Sequence, residues 1–249
     1  IVKGRHPLIP RERCVPIDVS IGDNFKTLII TGPNTGGKTV SLKTVGLFIL
    51  LCQTGFFLPA SHVTMGIFTD VLCDIGDEQA IEQNLSTFSS HMTNIIYILK
   101  NVKSGSMILF DELCTGTDPV EGSALARAIL SDLAQKDVLT FATTHYSELK
   151  TFAFETDGME NASMEFDIET LMPTYRLVVG IPGKSNALEI SKKLGLPESV
   201  TEYAQSTMDK DELNVNRLLA DIEHNKLVAQ KEKQEAEAIR LQAEDMKRR

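Results

Sequence analysis

A glycine-rich loop at residues 32–39 has the residue types that bind the phosphates of a nucleoside triphosphate. Its sequence, GPNTGGKT, fits the pattern G-x-x-x-x-G-K-[S/T]. In such loops the glycines let backbone N–H groups converge on phosphate oxygens, and the N-terminus of the following helix adds partial positive charge. We expect Lys38 to bind the β- and γ-phosphates and the Thr39 hydroxyl to bind Mg²⁺. The residues predicted to contact the nucleotide here are Gly32, Pro33, Asn34, Thr35, Gly36, Gly37, Lys38, Thr39 and Val40.

The segments on either side of this loop predict the elements that must hold it. The β-branched run Lys26–Thr31 indicates a buried strand, and Val40–Leu51, apolar nearly all round, indicates a buried helix. Phosphate binding requires this order of strand, loop and helix. A chance match in a glycine-rich loop is therefore the weaker interpretation.

A second strand, Met107–Phe110, ends in two carboxylates, Asp111 and Glu112. Many strands end in an acidic turn, but a phosphate-binding loop upstream favours a catalytic pair. Asp111 is then expected to bind Mg²⁺, and Glu112 is placed to polarise the attacking water as a general base.

Polar residues elsewhere have two interpretations from the residues alone. His145 follows the predicted strand 138–143, where it would contact the γ-phosphate, although a histidine at a strand end is more often structural. Ser86 and Thr87 begin a helix whose apolar positions, Met92 among them, follow helical spacing. Their hydroxyl and N–H groups would either bind an anion or simply cap the helix.

Composition limits the classes of partner. The chain has 249 residues, enough for one large core, and a formal net charge of −9. Because acidic residues outnumber basic ones, we do not expect this segment to be the main nucleic-acid surface. The four cysteines form no C-x-x-C pair, which argues against a zinc site and favours a reducing, cytoplasmic setting. The apolar stretch Val45–Leu51 is far too short to span a bilayer.

Three regions are predicted along the chain. Residues 1–187 alternate strand and helix patterns, as a parallel sheet covered by helices does, with Asp118 and Pro119 starting the helix Val120–Gln135. Residues 188–207 indicate two short helices separated by Gly195 and Pro197. Residues 208–249 suit one long exposed helix, either solvated or the start of a coiled coil whose seam Asn225 and Glu232 would interrupt. The chain begins without Met and stops within that helix, so we expect it to be part of a longer protein.

The order of these motifs resembles the ATPase domain of the MutS family. The matching segments are His6-Pro7, the loop 32–39, Ser-Thr-Phe at 86–88, Phe-Asp-Glu at 110–112, and Ala-Thr-Thr-His-Tyr-x-Glu-Leu at 142–149. The resemblance covers nearly all of residues 1–207. Thr35, Thr39 and the segment 116–122 are more similar to the MutS-two branch than to mismatch-repair MutS.

The resemblance implies a three-layer α/β domain of the ABC/RecA-like P-loop NTPase kind, followed by a helix–turn–helix at 188–207 and a long exposed helix. It further implies a homodimer in which each ATP lies between two subunits. Ser86, with Thr87, would then reach the partner's γ-phosphate, and His145 and Asn34 would contact the γ-phosphate or the attacking water. The family's adenine-stacking aromatic residue is absent here, where Cys14 and Val15 stand. Val15 and Tyr175 are the candidates for base contacts.

The resemblance implies ATP hydrolysis with Mg²⁺ in a parent protein that acts on branched DNA and restrains recombination, or acts on stalled, collided ribosomes. Regions outside this segment, among them a nuclease-like Smr domain, would make most of those contacts. Three alternatives remain: the ATPase domain of mismatch-repair MutS, a non-catalytic dimerisation switch, and a transporter or chromosome-organising ABC ATPase. The last usually carries Leu-Ser-Gly-Gly where this chain has Leu-Ser-Thr-Phe.

Overall fold

The computed structural model describes residues 1–32, 36–76, 87–167, 169–183 and 187–207. The chain separates into two compact units, residues 1–185 and 186–249. Several predicted features lie outside the described residues: Pro33, Asn34 and Thr35 of the loop, Ser86, and the helix expected at 208–249.

The first unit is built on a six-stranded sheet with the order β2-β3-β4-β1-β5-β6. All neighbouring pairs are parallel except β5 and β6, which are antiparallel. The predicted parallel sheet thus gains an antiparallel edge, because residues 168–171 are too few for a parallel crossover. The strands are β1 (Thr27–Thr31), β2 (Val71–Asp74), β3 (Met107–Phe110), β4 (Leu139–Thr143), β5 (Met159–Asp167) and β6 (Met172–Val179).

Helices cover both faces of this sheet and make three layers. The helices of the first unit are α1 (Lys38–Gln53), α2 (Thr87–Asn101), α3 (Pro119–Ala134) and α4 (Glu148–Glu155). Successive strand side chains point to opposite faces. Leu28 and Ile30 of β1 therefore pack with α1, whereas Ile29 packs with residues of α2, α3 and α4. The apolar alternation of the central strands builds a core on each side.

The helix after the glycine loop is buried on one side only. Its sheet-facing residues Leu42, Val45 and Ile49 are buried, but Val40 is 41% and Leu50 51% exposed. An apolar surface nearly all round predicted a helix buried throughout. The observed helix instead forms an outer layer, with one side on the sheet.

The start of α3 follows its sequence signals. Pro119 is the first helical residue, and the Asp118 carboxylate accepts hydrogen bonds from the N–H groups of Val120 (2.9 Å) and Glu121 (3.2 Å). The predicted cap is confirmed. It fixes where the chain turns after the acidic pair.

The second unit contains α5 (Ala187–Lys193) and α6 (Glu198–Thr207) among its described residues. Gly195 has φ 96° between them, and the Leu196 N–H donates to the Ser191 carbonyl at 3.0 Å, so the glycine ends α5 as predicted. That these helices form a dimerisation element remains a prediction. None of the described helices has the length and apolar character that crossing a membrane requires.

Candidate active site

The strand order brings three candidate segments to one edge of the sheet. In parallel sheets the carboxyl ends of the strands share an edge, and ligands bind in the crevice outside it. β1 leads into the glycine loop, β3 into Asp111 and Glu112, and β4 into Thr144 and His145. Because β4 lies between β1 and β3, residues at its end separate the loop from the acidic pair.

The described part of the glycine loop has the backbone that phosphate binding needs. Gly32 and Gly37 have φ values of 130° and 95°, which favour glycine, and Gly37 directly precedes α1. A Cβ at Gly37 would also lie 3.2 Å from the Tyr175 ring. The first turn of α1 contains no acidic residue, and no side chain in the described chain caps it. Its N–H groups and dipole therefore favour an anion.

Lys38 is held beneath the loop with only 1% of its surface exposed. Its amino group donates a hydrogen bond to the Gly32 carbonyl. Burial lowers the pKa of Lys38 from 10.5 to about 8, although the charges of Glu112 and Asp111 act in the opposite direction. A bound polyphosphate would raise that pKa again. The site therefore favours a strongly anionic ligand.

One hydroxyl group organises both carboxylate residues. Thr143 Oγ1 donates to Asp111 Oδ1 at 2.6 Å and accepts from the Glu112 N–H at 2.8 Å. Thr143 is fully buried and Asp111 is 8% exposed. Glu112 has φ 51°, a left-handed conformation that non-glycine residues adopt at a cost and that surrounding contacts must hold. Thr143 was not among the predicted site residues. Its signals in the sequence are its position at a strand end and its place in the segment 142–149, which resembles the family's motif.

The predicted γ-phosphate contact His145 lies beside the predicted general base. His145 Nε2 is 3.1 Å from Glu112 Oε1, and both side chains are about one third exposed, at 38% and 34%. The histidine therefore orients the Glu112 carboxylate at the open side of the site. Its contact with the γ-phosphate stays a prediction.

The residues present fit a magnesium ion. Mg²⁺ takes hard oxygen ligands and is usually bound by one or two protein groups together with substrate phosphates. Asp111 supplies a carboxylate at the end of β3, and Thr39 supplies a hydroxyl as the second residue of α1. These two residues would hold the ion, and that assignment stays the prediction made from the sequence.

A small cavity next to the loop brings together residues that are distant in sequence. It has a volume of about 230 Å³ and is lined by Val15, Gly37, Val40, Tyr175 and His6, among others. Val15 and Tyr175, the predicted base contacts, thus face one cavity with Val40. Burial, with a smaller effect of the neighbouring Lys43 cation, lowers the pKa of His6. The cavity's apolar lining suits the base of a nucleotide.

The segment after β6 supports the start of the loop and was not predicted as part of the site. The Gly183 N–H donates to Thr31 Oγ1 at 2.7 Å. A Cβ at Gly183 would lie 2.9 Å from that oxygen and 3.2 Å from the Gly32 nitrogen. Only glycine therefore permits this approach. The fold of β6 against β5 brings it there.

The two residues predicted to contact a second subunit, Ser86 and Thr87, lie at the limit of the described chain. Ser86 lies outside the described residues, and Thr87 is the first residue of α2, with its side chain outside the description. Their proposed contact with a second subunit therefore stays a prediction. The nucleotide contacts predicted for Pro33, Asn34 and Thr35 also stay predictions, because these residues lie outside the described part of the chain.

Comparisons with known proteins point to one family. The family model described as MutS domain V matches residues 28–212. Proteins named Endonuclease MutS2 are 56% identical over 245 residues in Alkaliphilus metalliredigens and 54% identical over 250 residues in Clostridium beijerinckii. These alignments cover 98% and 100% of this chain, and 31% and 32% of the relatives. The chain thus spans about a third of the length of the relatives it matches.

Proposed function

This chain belongs to the MutS family as its domain V, and on that premise we propose that it binds and hydrolyses ATP at the carboxyl edge of its sheet. The observation that carries the proposal is the convergence of Lys38, Asp111, Glu112 and His145 at that edge. The two carboxylates lie close enough to Lys38 to affect its pKa.

The roles of the residues follow from their positions. Lys38 and the N–H groups at the start of α1 bind the phosphates, and Val15, Val40 and Tyr175 surround the base. Asp111 and Thr39 would hold Mg²⁺, which would supply positive charge to the phosphate oxygens. Glu112 accepts the proton of the attacking water.

Glu112 is in turn held by two neighbours. Thr143 binds its backbone N–H, and His145 binds its carboxylate. Together these contacts keep the general base in one orientation despite its left-handed backbone. Positioning of this kind is the main contribution that a protein makes to phosphoryl transfer.

The test is Glu112→Gln in the full-length protein. This variant should keep ATP affinity within a few-fold and lose about a hundredfold or more in turnover, as general bases contribute. Glu155→Gln, an exposed residue at the end of α4, is the matched control and should hydrolyse ATP normally. Turnover of Glu112→Gln at the wild-type rate would show that the base has been assigned wrongly. Absence of turnover in the wild-type protein would favour the alternative of a nucleotide-dependent dimerisation switch.

We further propose that each ATP is completed by Ser86 and Thr87 of a second subunit. What supports this is the family, together with the start of α2 directly after Ser86. Mixing Ser86→Ala with Lys38→Ala separates the two arrangements. In a twofold dimer with free exchange, half of the dimers are mixed and each has one intact site, so about a quarter of wild-type activity should return. If Ser86 acts within its own subunit, mixing restores nothing.

The macromolecular target of the full-length protein is proposed separately from the ATPase activity of this domain. The relatives are named endonucleases, and this domain is acidic overall, with a net charge of −9. We propose that ATP closes this domain as part of a dimeric clamp whose other regions contact branched DNA. Tight binding of four-way junctions supports this. Co-sedimentation with collided ribosomes, without binding to four-way junctions, would instead indicate that the target is the ribosome.

A further inference from the structure

A buried polar cluster joins α2 to the end of β2, outside the site described above. Asp74 Oδ2 is 2.9 Å from His91 Nδ1, and Asp74 Oδ1 accepts from Asn94 Nδ2 at 2.9 Å. The Asp74 side chain is 7% and that of His91 17% exposed. His91 and Asn94 are three residues apart, so they lie on one face of the helix. Both oxygens of a buried carboxylate are thus used to hold α2.

The same aspartate also holds the end of β3. The Asp111 N–H donates to the Asp74 carbonyl at 2.8 Å, continuing the parallel ladder past Phe110. The backbone of Asp74 therefore sets the position of the proposed magnesium ligand. Its side chain sets the position of α2. One residue connects the two.

A second contact fastens the first turn of α2 to the loop after the acidic pair. Gly116 lies beside Phe88, since a Cβ added at Gly116 would be 3.6 Å from the Phe88 Cβ and 3.8 Å from the Phe88 Cα. The Tyr146 hydroxyl donates to the Cys114 carbonyl at 2.7 Å and holds the same loop from the other side. The beginning of α2 therefore has two attachments to the segment that carries Asp111 and Glu112.

The attachment of α2 through Asp74 is polar, whereas the rest of the helix packs on the sheet through apolar side chains. Farther along, α2 packs through Ile95 and Ile98, which are 0% and 1% exposed. Apolar contacts of that kind hold a helix in place but tolerate small sliding or rotation. A buried carboxylate with two directed donors costs desolvation and specifies one orientation. The position of the first turns is thereby fixed more closely than the core requires.

We propose that Asp74 is a positioning residue that, through His91 and Asn94, locks the start of α2 to the hydrolysis site of its own subunit. This inference rests on the proposed function, in which the residues just before α2 complete the ATP site of a second subunit. The cluster then makes the two halves of the composite machinery, Asp111 with Glu112 and the start of α2, a single rigid body. When the start of α2 contacts the ATP of the partner subunit, any resulting shift of α2 therefore also moves Asp111 of its own subunit.

The test compares two substitutions of His91 in the full-length protein. Asparagine carries its amide nitrogen the same number of bonds from the backbone as His Nδ1, so His91→Asn keeps the donor to Asp74, whereas His91→Ala removes it. Thr93→Ala is the matched control, because Thr93 lies on the exposed side of α2 and binds only the Ser89 carbonyl at 2.8 Å in the described chain. The measurements are kcat, KM for ATP, the Kd of ADP and the melting temperature.

We expect His91→Ala to lower kcat by about tenfold or more, because a displacement of about 1 Å in the catalytic groups can cost about a hundredfold in rate. The Kd of ADP should stay unchanged within about twofold, because the loop and Lys38 are untouched. His91→Asn should recover most of the lost kcat, and Thr93→Ala should behave as wild type. If His91→Ala does not fold, Asn94→Leu removes the other donor and should give the same split.

Three results would overturn the inference. They are wild-type kcat in both His91→Ala and Asn94→Leu, equal impairment of His91→Asn and His91→Ala, and a loss of kcat that follows the unfolded fraction. These results leave the proposed function intact if the wild-type protein hydrolyses ATP and Glu112→Gln does not. A wild-type protein without turnover overturns both.

Discussion

Replacing Thr143 with valine is the most direct test of how the acidic pair is held. The two side chains have nearly the same shape, so the substitution removes the hydroxyl with little change in packing. That hydroxyl donates to Asp111 Oδ1 at 2.6 Å and accepts from the Glu112 N–H at 2.8 Å. In the variant, Asp111 Oδ1 and the Glu112 N–H each lose this partner. Thr143 is 0% exposed, so we do not expect water to replace its hydroxyl.

The magnitude follows from these two bonds. A hydrogen bond to a charged group contributes about 1.5–3 kcal/mol, and leaving the part-buried Glu112 N–H unpaired costs about 1 kcal/mol, the low end for such a group. We therefore expect Thr143→Val to lower the free energy of unfolding by about 2.5–4 kcal/mol. Glu112 would also lose the contact that supports its φ of 51°, so kcat should fall by about tenfold to a hundredfold.

The same strand offers a control with the opposite expectation. Thr140 is also 0% exposed, but its hydroxyl is buried without a hydrogen-bond partner in the described part of the chain. Thr140→Val removes that unpaired group and should leave stability unchanged or raise it by up to about 1–2 kcal/mol. Chemical denaturation gives the free energies, and steady-state ATP hydrolysis gives kcat. Equal stability losses in both variants, or unchanged kcat in Thr143→Val, would refute the role given to Thr143. Thr143→Ser should retain activity.

The loop and its lysine give two further predictions. Gly183→Ala should destabilise the protein by about 1–3 kcal/mol and weaken ATP binding, because the added Cβ would lie 2.9 Å from Thr31 Oγ1. Gly66→Ala is the control and should be neutral, because a Cβ there would have nothing within 4 Å. Equal effects of the two substitutions on melting temperature and ATP affinity would contradict this prediction. Lys38→Met should abolish ATP binding yet raise the stability of the nucleotide-free protein at pH 7 by about 1 kcal/mol. The relieved cost of burying the charge, about 3 kcal/mol, exceeds the loss of the hydrogen bond to the Gly32 carbonyl, about 1.5–3 kcal/mol. As the pKa of Lys38 falls from 10.5 to about 8 on folding, the wild-type protein gains stability as pH rises from 8 to 10.5, and the advantage of methionine should shrink over that range. A lower melting temperature for Lys38→Met at pH 7 would show that the charge of Lys38 is stabilising.

Predictions from the sequence were most successful where the determinants are local. The glycine pattern at 32–39, the apolar runs around it and the Asp118–Pro119 start of α3 depend on backbone preferences within a few residues. The observed elements agree with these predictions to within about two residues, the usual uncertainty of helix ends. The exposed side of α1 and the antiparallel β6 were not foreseen. Both depend on what lies next to an element in space.

The sequence by itself predicted which residues carry the chemistry and indicated the family, which the comparisons confirm, because residue types and motif spacing can be read from short segments. The tertiary structure decided which of them meet. Only the order β2-β3-β4-β1 places Thr143 between the loop and the acidic pair, and Asp74 beside Asp111. Val15 and Tyr175 share one cavity because β6 returns across β5. Strand order arises from long-range packing, which no short sequence window contains, so the residues that position the site appear only in the folded protein.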